Sequence, residues 1–154
     1  MIEFNREDYR TEAFEKRVKA EAKLIHGKES TRHGRELVEV ENDVRVGHFA
    51  EWFLLQQEGW QDNDETFNDV IDPDGNWIEV KVTKIPQYVP SVIQRLNERH
   101  RTLTRWEKPT PDAAVIFIND HENDSPHYRL HSYFTWNGFN YSEKKNVHLR
   151  GTVI

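Results

Sequence analysis

The chain has 154 residues, 31% of them charged and 12% aromatic with five Trp, a composition that excludes disorder and suits one domain with one core. The net charge of -6 argues against a uniformly basic nucleic-acid binder, no apolar run approaches the ~18 residues of a membrane span, and no charged-then-apolar leader is seen. The absence of Cys excludes disulfides and thiolate zinc sites and fits a reducing, cytoplasmic compartment.

Residues 6 to 26 read as a helix, with Phe14, Val18, Ala22 and Ile25 on one face at three-to-four spacing. Charges of both signs cover the rest, as on a solvated helix. Gly27 reads as a C-cap and residues 26 to 36 as a polar loop. Arg32 and Arg35, with Lys28 and His33, make a small basic patch there, a candidate phosphate clamp.

From Asp43 to Glu58 the helical signal is strongest, with Asp43 as N-cap and Gly59 as stop. Val46, Phe49, Ala50, Phe53 and Leu54 give a wide apolar stripe. Glu51 lies within it, one turn beyond Gly47 and on the same face as His48. A carboxylate there is costly to bury unless paired or bound to metal; otherwise it borders the stripe in water.

Residues 60 to 67 leave room for a short strand before the most informative stretch, Asn68 to Lys81. Pro73-Asp74-Gly75 between two alternating runs is the chemistry of a three-residue hairpin loop, Pro73 presetting φ and Gly75 accepting the left-handed conformation. The register follows: Asp72 faces Asn76, Ile71 faces Trp77, Val70 faces Ile78 and Asp69 faces Glu79. Val70, Ile78, Val80 and Val82 then form an apolar face, while Asp69, Glu79 and Lys81 collect on the other. Opposed like charges destabilise a sheet, and a divalent cation is the usual remedy. Mg²⁺ needs only one or two carboxylates besides its waters, and an ammonium beside it can hold an attacking water or neutralise a phosphate. The competing reading is a surface hairpin with solvated acids, since Glu-x-Lys on a strand is common by chance.

Pro86 and Pro90 end the following strand, and Ser91 reads as the N-cap of a helix to about Leu103. Arg95 and Arg99 share its outer face, suited to a phosphate backbone or to solvent. Residues 113 to 119 are an apolar run fit for a buried strand. Residues 128 to 136 alternate as an outer or edge strand, after a polar loop from His121 to His127. The tail from Asn137 to Ile154 carries Lys144, Lys145, His148 and Arg150 among Phe139 and Tyr141, and either reaches nucleic acid or covers the sheet.

Charge is unevenly distributed along the chain. Residues 51 to 80 hold nine acids and no Lys or Arg, whereas residues 81 to 108 hold seven bases against two acids. An acidic block able to hold cations thus precedes a basic block able to hold phosphates, although a solvated charged surface has the same composition.

The order helix, strand, hairpin, helix, strand, with Glu51, Asp69 and Glu79-Val80-Lys81, resembles the PD-(D/E)XK nuclease superfamily across roughly residues 44 to 119. It is similar in particular to the small Holliday-junction-resolvase-like members, in which a Gly-x-x-x-Glu helix ending near Gly-aromatic precedes the Asp strand; here these are Gly47, Glu51 and Gly59-Trp60. Asn68-Asp69 stands where the name-giving Pro-Asp would be, and the literal Pro73-Asp74 lies in the turn, too close to Glu79 to be the ligand.

The resemblance implies an α/β fold with a restriction-endonuclease-like core: a central mixed sheet of four to five strands flanked by helices. A single nuclease-like domain 1–154 is expected, with a helical N-terminal extension 1–43, a core 44–119 and a C-terminal strand and tail 120–154. By the same resemblance Asp69, Glu79 and the Val80 carbonyl bind Mg²⁺ or Mn²⁺, Glu51 completes the acidic cluster, and Lys81 helps activate water. The expected function is a metal-dependent endodeoxyribonuclease acting on structured or duplex DNA, with Lys84, Arg95, Arg99, Arg101, Arg32 and Arg35 toward the DNA. A homodimer is expected because paired cuts need two sites. The alternative is a non-catalytic nucleic-acid-binding protein that retains the fold.

Overall fold

The computed structural model describes residues 2–29, 35–63, 69–105 and 110–144. In chain order these form β1 (Glu3–Asn5), α1 (Glu12–Glu29), α2 (Leu37–Leu55), β2 (Gln61–Asp62), β3 (Val70–Ile71), β4 (Trp77–Thr83), α3 (Val89–Arg105), β5 (Ala113–Ile118), β6 (His127–Trp136) and β7 (Tyr141–Glu143). The strands make one mixed sheet in the order β1-β6-β5-β4-β3-β2, with β7 also paired to β6. Only β4 and β5 run parallel among these pairings, and α3 is the crossover that parallel strands require.

Two apolar layers hold the sheet. On one face Phe14 and Val18 of α1 and Phe49, Phe53 and Leu54 of α2 pack on Ile78, Val80, Val115 and Phe117. On the other, Val89, Ile93 and Leu96 of α3 pack on Ala114 and Ile116. Strand β5 is covered on both sides, which is why its sequence is apolar without alternation. Strand β4 alternates: Ile78 and Val80 enter the first layer, and Glu79 turns to the α3 side, where Arg99 meets it.

Several expectations change. Among the described residues the sheet has seven strands rather than four to five, because β1 and β7 lie in segments expected to be a helical extension and a tail. Strand β6 is consequently not an edge: Phe4 pairs with Tyr128 near one end, and Tyr141 with Trp136 at the other. Helix α1 begins at Glu12, after a 3-10 turn over Arg6–Asp8, and its first turn is capped by Thr11, whose Oγ1 accepts from the Phe14 N–H at 3.1 Å. Gly27 lies inside that helix instead of capping it.

Helix α2 begins at Leu37, not at Asp43, because Val40, 1% exposed, extends the buried stripe one turn further back. Asp43 pairs instead with Arg35. Helix α3 likewise starts before Ser91, since Pro90 in a first turn lacks only an N–H that has no helical partner anyway. After α2, Gly59 takes φ +84°, and a Cβ there would stand 3.1 Å from the Pro73 ring. Both constraints favour glycine, and they seat the hairpin turn against the end of α2.

Candidate metal centre at the hairpin

The hairpin forms in the expected register. The Asp72 N–H donates to the Asn76 carbonyl and the Gly75 N–H to the Asp72 carbonyl, both at 3.0 Å, while Gly75 takes φ +85°. Ile71 pairs with Trp77 and Val70 with Ile78. The Asp72 carboxylate is spent on the turn itself, accepting from the N–H groups of Asp74 (3.0 Å) and Asn76 (2.8 Å). Asp72 and Asp74 are therefore turn residues.

Beyond Val70 the ladder departs from regularity. The Asp69 N–H donates to the Ile78 carbonyl at 3.0 Å, and Asp69 Oδ2 accepts the Val80 N–H at 2.7 Å. A side-chain carboxyl thus binds an N–H that a partner strand's carbonyl would otherwise take. Asp69 ends the two-strand pairing and is drawn toward Glu79 at the point where the strands part.

Three acids meet here. Glu51 of α2 is 8% exposed and Glu79 of β4 is 5% exposed. Asp69 is half-buried as a residue, yet its carboxyl is withdrawn from water and set beside Glu51. Burial, followed by the Glu51 and Glu79 charges, pushes the Asp69 carboxyl well above the usual carboxylate range, against the opposing effect of the Val80 N–H. Asp69 accordingly holds a proton where an exposed aspartate would have lost it.

Each acid has a second partner. Glu51 Oε2 lies 2.5 Å from His48 Nδ1, whose Nε2 is buried without a partner. Glu79 Oε1 lies 3.2 Å from Lys81 Nζ and 3.4 Å from an Arg99 nitrogen, and Glu79 Oε2 is buried with no partner. Lys81 and Arg99 offset part of the like charge of this corner through Glu79 Oε1, and the raised Asp69 carboxyl reduces it further.

Among the described residues no three His, Asp or Glu side chains form a group that could hold a metal ion. Glu51 is committed to His48 and Asp69, which leaves Asp69, Glu79 and the Val80 carbonyl. That set suffices for Mg²⁺, which keeps most of its shell as water. The orphaned Glu79 Oε2 fits such an ion: a buried carboxylate oxygen left unpaired is costly, and a cation would satisfy it.

The basic residues are dispersed. Arg99 belongs to this corner through Glu79, while Arg95 lies one turn earlier on α3, exposed and turned back to the Ser91 carbonyl at 3.4 Å. Lys84 is paired to Glu122 at 2.5 Å, and Arg35 to Asp43. Arg101 reaches across to the β6–β7 turn, where it donates to the Phe139 carbonyl at 3.1 Å. Arg32 lies outside the described residues. From spacing alone Arg99 suits a phosphate backbone, whereas in the fold it contacts Glu79, and His48 is the partner of Glu51. The i to i+3 spacing of His48 and Glu51 was the available signal.

No helix among the described residues is long and apolar enough to cross a membrane. Comparison with protein-family models, with curated proteins and with solved structures finds no match to this chain.

Proposed function

We propose that this chain is a metal-dependent deoxyribonuclease with a restriction-endonuclease-like core, acting as an endonuclease on structured or duplex DNA. The observation that carries the reading is the convergence of Asp69, Glu79 and Lys81 where β3 and β4 part, with Glu79 Oε2 buried and unpartnered.

In this reading Asp69, Glu79 and the Val80 carbonyl hold Mg²⁺ or Mn²⁺. When bound, the ion polarises a phosphodiester oxygen and acidifies an attacking water. Asp69 would meet the ion as a carboxylate, so ion binding works against the raised proton affinity that burial and Glu51 give it, and His48, 2.5 Å from Glu51 Oε2, keeps that side chain oriented. Lys81, 39% exposed at its side chain, is positioned to leave Glu79 and hold water or a phosphate oxygen. Arg99, 46% exposed, can make the same exchange from the α3 side.

A second reading, a nucleic-acid-binding protein that does not cut, is favoured by the fact that Glu51, Asp69 and Glu79 do not form a three-ligand group. One assay separates the two. Linear, nicked, single-stranded and four-way-junction DNA are incubated with the protein, with and without Mg²⁺ or Mn²⁺, and both binding and products are scored. The nuclease reading expects metal-dependent products; the second expects salt-sensitive retention and no product with either ion.

A further inference from the structure

The turn between β6 and β7 presents Phe139, at 71% exposure the most exposed large apolar side chain among the described residues. The turn has no packing need for it. Asn137 Oδ1 accepts from the N–H groups of Phe139 and Asn140, both at 2.9 Å, the Asn137 N–H donates to the Asn140 carbonyl at 3.0 Å, and Gly138 takes φ +96°. Asn137, Gly138 and Asn140 therefore set the turn, and Phe139 is free to be displayed.

It is also held in place. Arg101 of α3 sets its guanidinium carbon 5.1 Å from the ring centroid while donating to the Phe139 carbonyl. An exposed ring on a hydrogen-bonded turn has already lost much of the freedom that binding would otherwise cost. The same helix carries Arg99 on its other flank, against Glu79. Arg99 and Arg101 are two residues apart, on opposite sides of a helix about 10 Å across, so the groups they touch lie at least that far apart, three or more stacked nucleotides.

We propose that Phe139, braced by Arg101, is a stacking site for one unpaired nucleobase, a few nucleotides from the bond cut at Glu79. The substrate then carries a single-stranded segment beside the cut. An aromatic face beside a guanidinium is the chemistry that takes an unstacked base without regard to its identity. A protein partner fits less well: a stable interface needs about 800 Å² per side, and here a single ring is surrounded by Asn137, Asn140 and Arg101. The position of the cut rests on the nuclease reading; the stacking site requires only that the chain bind nucleic acid.

The test uses the full chain in EDTA, so that binding is read without cleavage. Fluorescence anisotropy compares a labelled oligothymidylate with a blunt duplex of equal length, for wild type, Phe139→Ala and Phe139→Trp. Phe139→Ala is expected to lose about 10-fold or more in single-strand affinity with duplex affinity unchanged, and Phe139→Trp to retain it. A 2-aminopurine in the single strand should be quenched by wild type and not by Phe139→Ala. Equal single-strand affinity of wild type and Phe139→Ala, an equal loss on both DNAs, or a wild type that binds no single strand overturns the proposal. So does a sedimentation shift from dimer to monomer in Phe139→Ala. Cleavage with Mg²⁺ or Mn²⁺ is scored separately. Phe139-dependent binding without any product would remove the nuclease reading alone, and cleavage with an indifferent Phe139→Ala would remove the stacking site alone.

Discussion

Two charged clusters flank α2, and they are built on opposite terms. Toward β1 and β6, Arg6, Arg10 and Arg45 line a cleft of about 460 Å³, and each guanidinium has its acid: Arg6 with Asp124 at 2.8 Å, Arg10 with Glu7 and Glu15 at 3.6 Å, Arg45 with Glu15 at 2.9 Å. Toward β3 and β4, Glu51, Asp69 and Glu79 face one another, burial and its acidic neighbours raise the Asp69 carboxyl, and an oxygen of Glu79 and a nitrogen of His48 are buried without partners. Ion pairs that balance fasten elements together. Buried acids that do not balance cost stability, and such a cost is tolerated at sites that bind or react.

The comparison can be broken most decisively at Glu79. Glu79→Ala should lower metal-dependent cleavage by about 10²-fold or more, while Arg45→Ala cuts as wild type does. Wild-type rates from Glu79→Ala would put the chemistry elsewhere. The measurement is initial rate at saturating Mg²⁺, with circular dichroism to show that both variants fold.

Asp69 sharpens it through pH. Its carboxyl is raised in the folded chain, so between about pH 4, where an unfolded aspartate ionises, and the raised value, the folded state binds more protons than the unfolded state. Stability must then fall as pH rises through that window. Asp69→Asn, which keeps an acceptor for the Val80 N–H, should lack this fall, so its melting temperature rises relative to wild type as pH climbs from about 4 to the raised value of the Asp69 carboxyl. Mg²⁺ should reverse the order for wild type alone, stabilising it more at pH 8 than at pH 6, because a proton leaves as the ion binds. Parallel pH profiles for the two proteins would show that Asp69 ionises normally.

Smaller effects belong to the balanced side and the turn. Arg45→Ala leaves Glu15 without its nearest cation at side-chain exposures of 18% and 28%, and should cost about 1 to 3 kcal/mol in urea unfolding. Gly59→Ala must hold φ +84° with a methyl against Pro73 and should cost about 1 to 2 kcal/mol, read in the same way. A loss of cleavage in Arg45→Ala without a loss of stability would erase the distinction between the clusters.

How much of the fold is legible in the sequence depends on how local its determinants are. Pro73-Asp74-Gly75 carries its own turn chemistry, so the pairings of Ile71 with Trp77 and Val70 with Ile78 follow from a dozen neighbouring residues. The apolar run of β5 announces burial on both faces. Where determinants lie far apart, the sequence misleads. Three residues of β1 have no strand signal of their own, and they pair because Tyr128 and Arg129 arrive from the far end of the chain. The start of α2 is misplaced because Asp43 offers good capping chemistry and the burial of Val40, which overrides it, is a tertiary fact. The irregular ladder at Asp69 and the inward turn of Arg99 arise from competition for the same carboxylates, which spacing along a chain does not encode.

The pairing of Phe4 with Tyr128 also orders events in time. Phe4 stacks on Phe53 at 4.4 Å and on Tyr128 at 4.8 Å, and its strand partner lies on β6. During synthesis the hairpin, β4, α3 and β5 leave the ribosome before β6 does, so the corner holding Asp69, Glu79 and Arg99 can assemble while Phe4 still lacks its partner strand. At about 5 to 20 residues per second that wait is on the order of ten seconds. Until β6 emerges Phe4 can stack on Phe53 but has no strand to pair with.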